Sequence, residues 1–233
     1  MKAIYLEDSY IRAFNAIVLS ASGDRIILDK TAFYPASGGQ PSDQGSLCKA
    51  NEEFKVLEAM VLGGQIAHIV DKDGLKSGDR VQASLDWERR HRFMRSHTAC
   101  HILSTVIFKE TGAKITGNQI DISRSRVDFS LESFDKAKMN EYVEEANRLI
   151  RENRPIKIKV LPRDEAMAIP DLVRLAMEVP NRDEIRVVEI EGIDVQACGG
   201  THVKSTGEIG RIKMIKAENK GKSNRRVYFA LEE

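Results

Sequence analysis

The sequence predicts an α+β protein: a small N-terminal β-barrel over residues 1–86, then an α+β domain over 87–233 with an antiparallel sheet packed on helices. Three observations carry this. Short apolar runs broken by turn formers fill the first ~86 residues. A stretch free of glycine and proline begins abruptly at Asp86-Trp87. The remainder mixes both element types. At 233 residues the chain is long enough to bury one large core or two small ones.

In chain order, Ile11 to Leu19, Ile26 to Leu28, Phe54 to Leu62 and Ile66 to Val70 read as strands. Ser22-Gly23-Asp24, Gly63-Gly64 and Asp71-Lys72-Asp73-Gly74 separate them, and Gly63-Gly64 is a two-residue hairpin signal. Short strands at this spacing suit a barrel, which hides its edges by closing. Trp87 to about Lys109 reads as a helix with Gly112 beyond it as a C-terminal cap. Val127 to Leu131 is a strand. Phe134 to Asn153 is a helix with Met139, Val143, Ala146, Leu149 and Ile150 along one stripe, stopped by Pro155. Ile156 to Leu161 alternates as a strand. Glu165 to Ala168 and Leu172 to Ala176 read as short helical pieces split by Pro170, and Ile185 to Ile190, Gly210 to Ala217 and Arg225 to Leu231 as strands.

Composition narrows the function classes. Apolar residues are 42% and charged residues 30% of the chain, ordinary for a soluble globular protein. No apolar stretch reaches the roughly 20 residues that cross a bilayer. Met1 to Asp8 lacks the pattern of a signal peptide, so the expected location is the cytoplasm. Three scattered cysteines, Cys48, Cys100 and Cys198, do not form a disulfide framework. Net charge is only +1, yet its distribution is uneven. Arg211, Lys213, Lys216, Lys220, Lys222, Arg225 and Arg226 face a single acid, Glu218, and Arg89, Arg90, Arg92 and Arg95 form a second cluster. Such clusters suit phosphates, although a charge run is also the ordinary solvated face of a protein. Arg89, Arg92, Lys220, Lys222, Arg225 and Arg226 are the candidate RNA contacts, with the glycine-containing loop Lys220 to Arg225 foremost.

The chemistry is carried by two donor pairs. His97 and His101 stand four apart on the predicted helix, so both imidazoles share one face. Cys198-Gly199-Gly200-Thr201-His202 repeats the spacing, with glycines expected to let the backbone turn as thiolate and imidazole converge. Three imidazoles and a thiolate suit one Zn2+, tetrahedral, at about 2.0–2.3 Å. The plainer reading is a structural zinc clip joining helix to loop. His68 reads as a packed or edge histidine and His91 as solvated or phosphate-facing. Cys100, on another side of the helix, reads as a small buried hydrophobe, and Cys48 has no partner spacing.

Arg95-Ser96-His97-Thr98-Ala99-Cys100-His101-Ile102-Leu103 with Cys198-Gly199-Gly200-Thr201-His202-Val203 resembles the editing domain of alanyl-tRNA synthetase. The whole chain more closely resembles the freestanding alanyl-tRNA editing proteins, the AlaX family, of medium length. Thr31 to Gly45, Arg126-Val127-Asp128-Phe129 and Arg225-Arg226-Val227-Tyr228-Phe229 also have counterparts there. The resemblance implies a hydrolase acting in trans on mischarged tRNA(Ala), removing serine and in some members glycine. It needs no ATP, consistent with the lack of a Walker-type loop and of room for a synthetase core. It also implies that Thr31 senses side-chain size in the substrate pocket, with Gln40 and Ser96 as polar neighbours. Thr31 reads equally as a plain strand-former. Gly38-Gly39-Gln40 matches the tripeptide with which release factors hydrolyse a tRNA ester, and it also reads as a simple barrel turn. Zinc would activate water or polarise and orient the substrate, with Cys198 the ligand expected to move. A related threonyl-tRNA editing core lacks the Thr31 to Gly45 segment. The alternative from another class is a non-catalytic zinc-stabilised RNA-binding module.

Overall fold

Alternating burial along the first strands closes a barrel, as the pattern of short apolar runs requires. The computed structural model describes residues 1–131, 135–174, 182–221 and 223–232. The chain divides into two compact units, Met1–Phe93 and Met94–Glu233.

The first unit contains β1 (Lys2–Ala3), β2 (Ala13–Ser22), β3 (Arg25–Leu28), β4 (Lys30–Thr31), β5 (Gly45–Lys49), β6 (Glu52–Leu62), β7 (Gln65–Val70) and β8 (Arg80–Leu85). β1 and β4 form a short parallel pair. The others close a barrel in the order β2-β3-β7-β6-β5-β8, with every neighbouring pair antiparallel. Val18, Leu28, Phe33, Leu47 and Phe54 fill it without exposed surface. Gly63 and Gly64, at φ 57° and 77°, join β6 to β7 with Leu62 opposite Gln65, the geometry of a type I′ hairpin. At Gly45 the neighbouring strand leaves no room: a Cβ there would lie 2.1 Å from the Ser84 carbonyl oxygen and 2.9 Å from Leu85 Cα.

Two polar groups are sealed inside this unit. Arg90 has no exposed surface; it is paired with the Asp43 carboxylate, with Nε 2.9 and 3.0 Å from its two oxygens, and Nη1 donates to the Ser9 carbonyl at 2.8 Å. The basic cluster expected at Arg89 to Arg95 therefore loses Arg90 from its surface, because a buried carboxylate needs the guanidinium. His68 is equally buried. Its Nδ1–H donates to the Ile26 carbonyl at 3.0 Å, which leaves Nε2 to accept from the Thr31 hydroxyl at 2.8 Å. Burial holds the imidazole down to about 4.

The second unit is organised on α1 (Trp87–Thr111), which begins in the first. Gly112, at φ 68°, ends it by donating to the Phe108 carbonyl at 2.8 Å, as its position beyond the helix suggested. Ser96 to Ile107 is buried without interruption, so the helix shows no apolar stripe because it has no solvent face there. After it come β9 (Ile115–Gln119), β10 (Ser125–Phe129), α2 (Lys136–Arg151), β11 (Ile156–Pro162), α3 (Arg163–Met167), β12 (Glu184–Ile190), β13 (Asp194–Ala197), β14 (Arg211–Asn219) and β15 (Arg225–Glu232). The Asp135 side chain caps α2 by accepting from the Ala137 N–H. The helix stops at Arg151, before Asn153 adopts φ 51°; Phe134, the expected start, lies outside the described residues.

Two antiparallel sheets form, β14-β15-β10-β9 and β11-β12-β13. The helical piece expected over Leu172 to Ala176 is not helical at Leu172 to Arg174, and Ala176 lies outside the described residues. Those carbonyls are taken by neighbouring strands instead: Ala197 N–H donates to Leu172 at 3.1 Å and Ile115 N–H to Arg174 at 2.9 Å. Among the described residues no helix is long and apolar enough to cross a membrane.

Two outcomes follow. Gly45→Ala is expected to destabilise the protein by about 3 kcal/mol or more, read as a lower urea midpoint, since backbone must move to admit the methyl. His68 makes stability pH-dependent. The unfolded histidine, near 6.5, binds protons that the folded one refuses until about 4. Stability is thus full above 6.5 and falls as pH drops towards 4, by about 3 kcal/mol. In urea titrations His68→Gln is expected to flatten that part of the profile; a slope equal to wild type would show that His68 is not the titrating group.

Candidate metal centre

The helical period of α1 puts His97 and His101 one turn apart on the same side, with ring centroids 5.3 Å apart. The chain leaving β13 supplies the other pair. Cys198 is anchored through its backbone, N–H to the Arg186 carbonyl at 3.1 Å, and its own carbonyl accepts from Arg186 Nη1 at 2.6 Å. His202 lies 4.4 Å from His97 and 4.8 Å from His101, centroid to centroid. One ligand atom from each of His97, His101, Cys198 and His202 falls within 4.8 Å of all the others. The Cys198 Sγ is 3.6 Å from His97 Nε2 and 3.3 Å from His202 Nε2. Tetrahedral bonds of about 2.0–2.3 Å set donors about 3.3–3.6 Å apart, so the thiolate edge already has the spacing a zinc ion needs.

Hydrogen bonds behind the rings decide which nitrogens face inward. Thr98 donates its one proton to the Met94 carbonyl at 2.9 Å, so His202 Nδ1, 3.1 Å from the same oxygen, is the donor. Its Nε2 lone pair then points to the cluster. His101 Nδ1 lies 3.1 Å from Asp194 Oδ2, and Gln196 Nε2 and Arg174 Nη1 hold that carboxylate at 2.8 Å each. Arg174 in turn donates to the Thr105 hydroxyl at 2.7 Å. A histidine backed by a carboxylate is the usual orienting arrangement for a metal ligand.

The charge states within the set differ. Burial alone would push the Cys198 thiol up, but His97, His202 and His101 outweigh it and hold the thiol well below its ordinary range. Burial drives His202 down to about 3. It pulls His101 down too, but Asp194 and Cys198 outweigh it and raise that ring to about 10. Cys198 and His202 thus already stand in the form a divalent ion requires, whereas an ion would have to displace the proton that Asp194 and the thiolate hold on His101. Cys100, fully buried on another side of α1, is pushed up to about 12 by burial and stays a thiol.

The chain matches two family models: "Threonyl and Alanyl tRNA synthetase second additional domain" over residues 185–228, and "tRNA synthetases class II (A)" over residues 6–89. An alanyl-tRNA editing protein AlaX-M of Methanosarcina acetivorans is 50% identical, over 99% of this chain and 98% of that protein. The AlaX-M of Saccharolobus solfataricus is 43% identical over 98% of both. The chain belongs to the AlaX family. AlaX likeness extends into larger enzymes: an alanine–tRNA ligase of Pyrococcus abyssi is 39% identical over all of this chain but 26% of its own length.

Within this AlaX chain the other candidate residues are placed as follows. Thr31 is fully buried, its hydroxyl donating to His68 and accepting from the Phe33 N–H at 3.0 Å. Gly38 and Gly39, at φ 56° and 81°, form a tight turn that bonds Gln40 to Ser37 through both backbones, and Gln40 is buried. Ser96 is buried on α1 beside His97. Arg89 is half-buried, donating to the Ser42 carbonyl at 3.2 Å with its guanidinium 4.7 Å from the Phe93 ring centre. Arg92 is exposed. Lys220 lies 3.3 Å from Glu218, and Lys222 lies outside the described residues. Arg225 is buried and donates to the Gly221 and Asn224 carbonyls at 2.8 and 3.0 Å, closing its own loop. Arg226 grips both oxygens of Asp128 at 2.7 Å.

The orienting residues Asp194, Gln196, Arg174 and Thr98 escaped the sequence reading. The available signal was Ile193-Asp194-Val195-Gln196, in which the two polar residues take the buried positions of a strand just before Cys198. Neither Gly199 nor Gly200 takes a positive φ; Gly200 serves by its N–H, 3.4 Å from the Cys198 sulfur.

Asp194→Asn keeps the shape of the carboxylate and removes its charge. It is expected to weaken Zn2+ binding roughly 10- to 100-fold in chelator competition. Unchanged affinity would show that Asp194 serves folding alone.

Proposed function

We propose that this chain deacylates mischarged tRNA(Ala) in trans, chiefly Ser-tRNA(Ala), preventing mistranslation of alanine codons in the cytoplasm. The observation that carries the proposal is the convergence of His97, His101, Cys198 and His202 within 4.8 Å, supported by near full-length likeness to proteins named for alanyl-tRNA editing. In this reading residues 87–233 cleave the ester and residues 1–86 help choose the substrate. The four residues hold one Zn2+, which when bound supplies Lewis acidity towards a water or the ester carbonyl.

The chain's own groups do the rest. Asp194 and Thr98 fix the imidazoles of His101 and His202, so those two donors hold their orientation during the reaction. The Gly200 N–H steadies the thiolate. Ser96, next to His97, is the polar neighbour for the aminoacyl group, and Gln40 is a second polar candidate by resemblance. Thr31 is the residue that senses the side chain. The pocket has to present an acceptor that pairs with a serine hydroxyl. Alanine offers no such donor. An unmade buried hydrogen bond costs about 1–3 kcal/mol, worth roughly ten- to a hundredfold between serine and alanine.

Hydrolysis of Ser-, Gly- and Ala-tRNA(Ala) by the purified chain tests this. Ser-tRNA(Ala) is expected to lose its amino acid and Ala-tRNA(Ala) to keep it, and the glycine ester reports whether the site demands the hydroxyl. His101→Ala is expected to lose activity and bound zinc together. If all three esters survive, the chain is a zinc-stabilised RNA-binding module; full activity in metal-free protein defeats the role given to zinc.

A further inference from the structure

The four-stranded sheet of the second unit carries a charged face that joins the candidate RNA contacts Lys220 and Arg226 to residues that no role so far uses. Its register sets Gln119, Arg126, Tyr228 and Lys216 in one row across β9, β10, β15 and β14. The adjacent row holds Gly117, Asp128, Arg226 and Glu218. Val127, Val227 and Phe229, which alternate with these positions, are fully buried, so the rows point outward. The cations gather on a single ring. Arg124 and Lys216 each stand 4.7 Å from the Tyr228 ring centre, and Arg226 stands 6.0 Å away. Arg124 and Lys216 are exposed, and Tyr228 is half-buried.

We propose that this face binds the phosphate backbone of RNA, with Tyr228 as the pedestal that holds the cations in place. Among the described residues, the ion pairs of Arg126, Lys216, Lys220 and Arg226 are with Asp128 and Glu218, and Arg124 adds a fifth cation, an excess of positive charge. Asp128 takes Arg126 and Arg226, and Glu218 takes Lys216 and Lys220, which aligns those cations without neutralising the face. Cations resting on an aromatic ring have already given up rotamer freedom, so less is lost when phosphate arrives. Neighbouring strands about 4.8 Å apart spread the cations over a strip roughly 10 Å wide from Arg126 to Lys216. An aromatic ring ringed by arginine and lysine on an open sheet is a surface suited to RNA without regard to sequence. The choice of RNA over other polyanions rests on the reading of tRNA as the substrate carrier.

The test is binding of uncharged tRNA(Ala) to the zinc-loaded full chain over 50–300 mM salt. Arg124→Ala with Lys216→Ala removes two exposed cations; affinity is expected to fall at least tenfold at low salt. The slope of log K against log salt is expected to shrink by about 2. Tyr228→Leu is expected to weaken binding several-fold and Tyr228→Phe to preserve it, while Lys159→Ala on the other sheet changes nothing. Zinc content and melting temperature check the fold of each; should Tyr228→Leu fail there, the two exposed cations decide alone. Affinity and slope equal to the unmodified chain overturn the proposal, as does binding to anionic vesicles in preference to tRNA. Failure of the unmodified chain to hydrolyse Ser-tRNA(Ala) sinks the deacylase instead, and the salt slope still reports on this face.

Discussion

A thiolate and three imidazoles have been gathered on a helix that has no solvent face over a dozen residues. Polar groups taken out of water must be paired, and each imidazole presents two nitrogens with opposite demands. The inward nitrogen has to be a bare donor atom for the cluster, so the outward one has to give its proton away. Thr98 solves this for His202 by spending its own proton on a helix carbonyl. Asp194 solves it for His101 and then needs Arg174 and Gln196 to be buried itself. Arg174 in turn occupies Thr105. The polar network in this unit is the chain of consequences of burying that donor set.

The strand pair β12–β13 exists, on this view, to deliver a loop. Cys198 is fixed by two hydrogen bonds to Arg186 on the adjoining strand before it meets any imidazole. Beyond His202, Ser205 and Glu208 form a reciprocal capping box that ends the loop as it enters a short 3-10 turn. The glycines between Cys198 and His202 therefore need no unusual backbone angle. The hydrophobic terms that hold the sheets together position the ends, and the loop spans the gap under little strain.

How much of this was legible depends on whether a property is local in sequence. The hairpin at Gly63-Gly64, the cap at Gly112 and the two donor pairs rest on spacings of two to four residues, and all are found as read. The failures are of one kind. Arg90 reads as one cation in a surface cluster, but its partner Asp43 is 47 residues away. Leu172 to Arg174 has the apolar content of a short helix, yet β9 and β13 claim its carbonyls. β5, β9 and β13 are only four or five residues long, too short for their period to show, and each becomes a strand because a neighbour offers a ladder. Asp194 was hidden in the same way: nothing near it in sequence says that a histidine 93 residues earlier needs its carboxylate.

The same distinction explains what becomes of the basic run from Arg211 to Arg226. Read along the chain it looks like one patch, but strand neighbours point to opposite faces, so adjacency in sequence separates side chains in space. Arg225 turns inward to close a loop while Arg226 turns outward to Asp128. Arg211 and Lys213 are spent on Glu144 and Glu232. Lys216, paired with Glu218, also stands over the Tyr228 ring, which Arg124 approaches from a different strand connection altogether. A cationic surface on a sheet is thus assembled across strands, by register, and not by runs of charge along them. That is why the residues best placed to meet a phosphate backbone come from two segments nearly a hundred positions apart, one of which carries no charge cluster that a linear reading would notice.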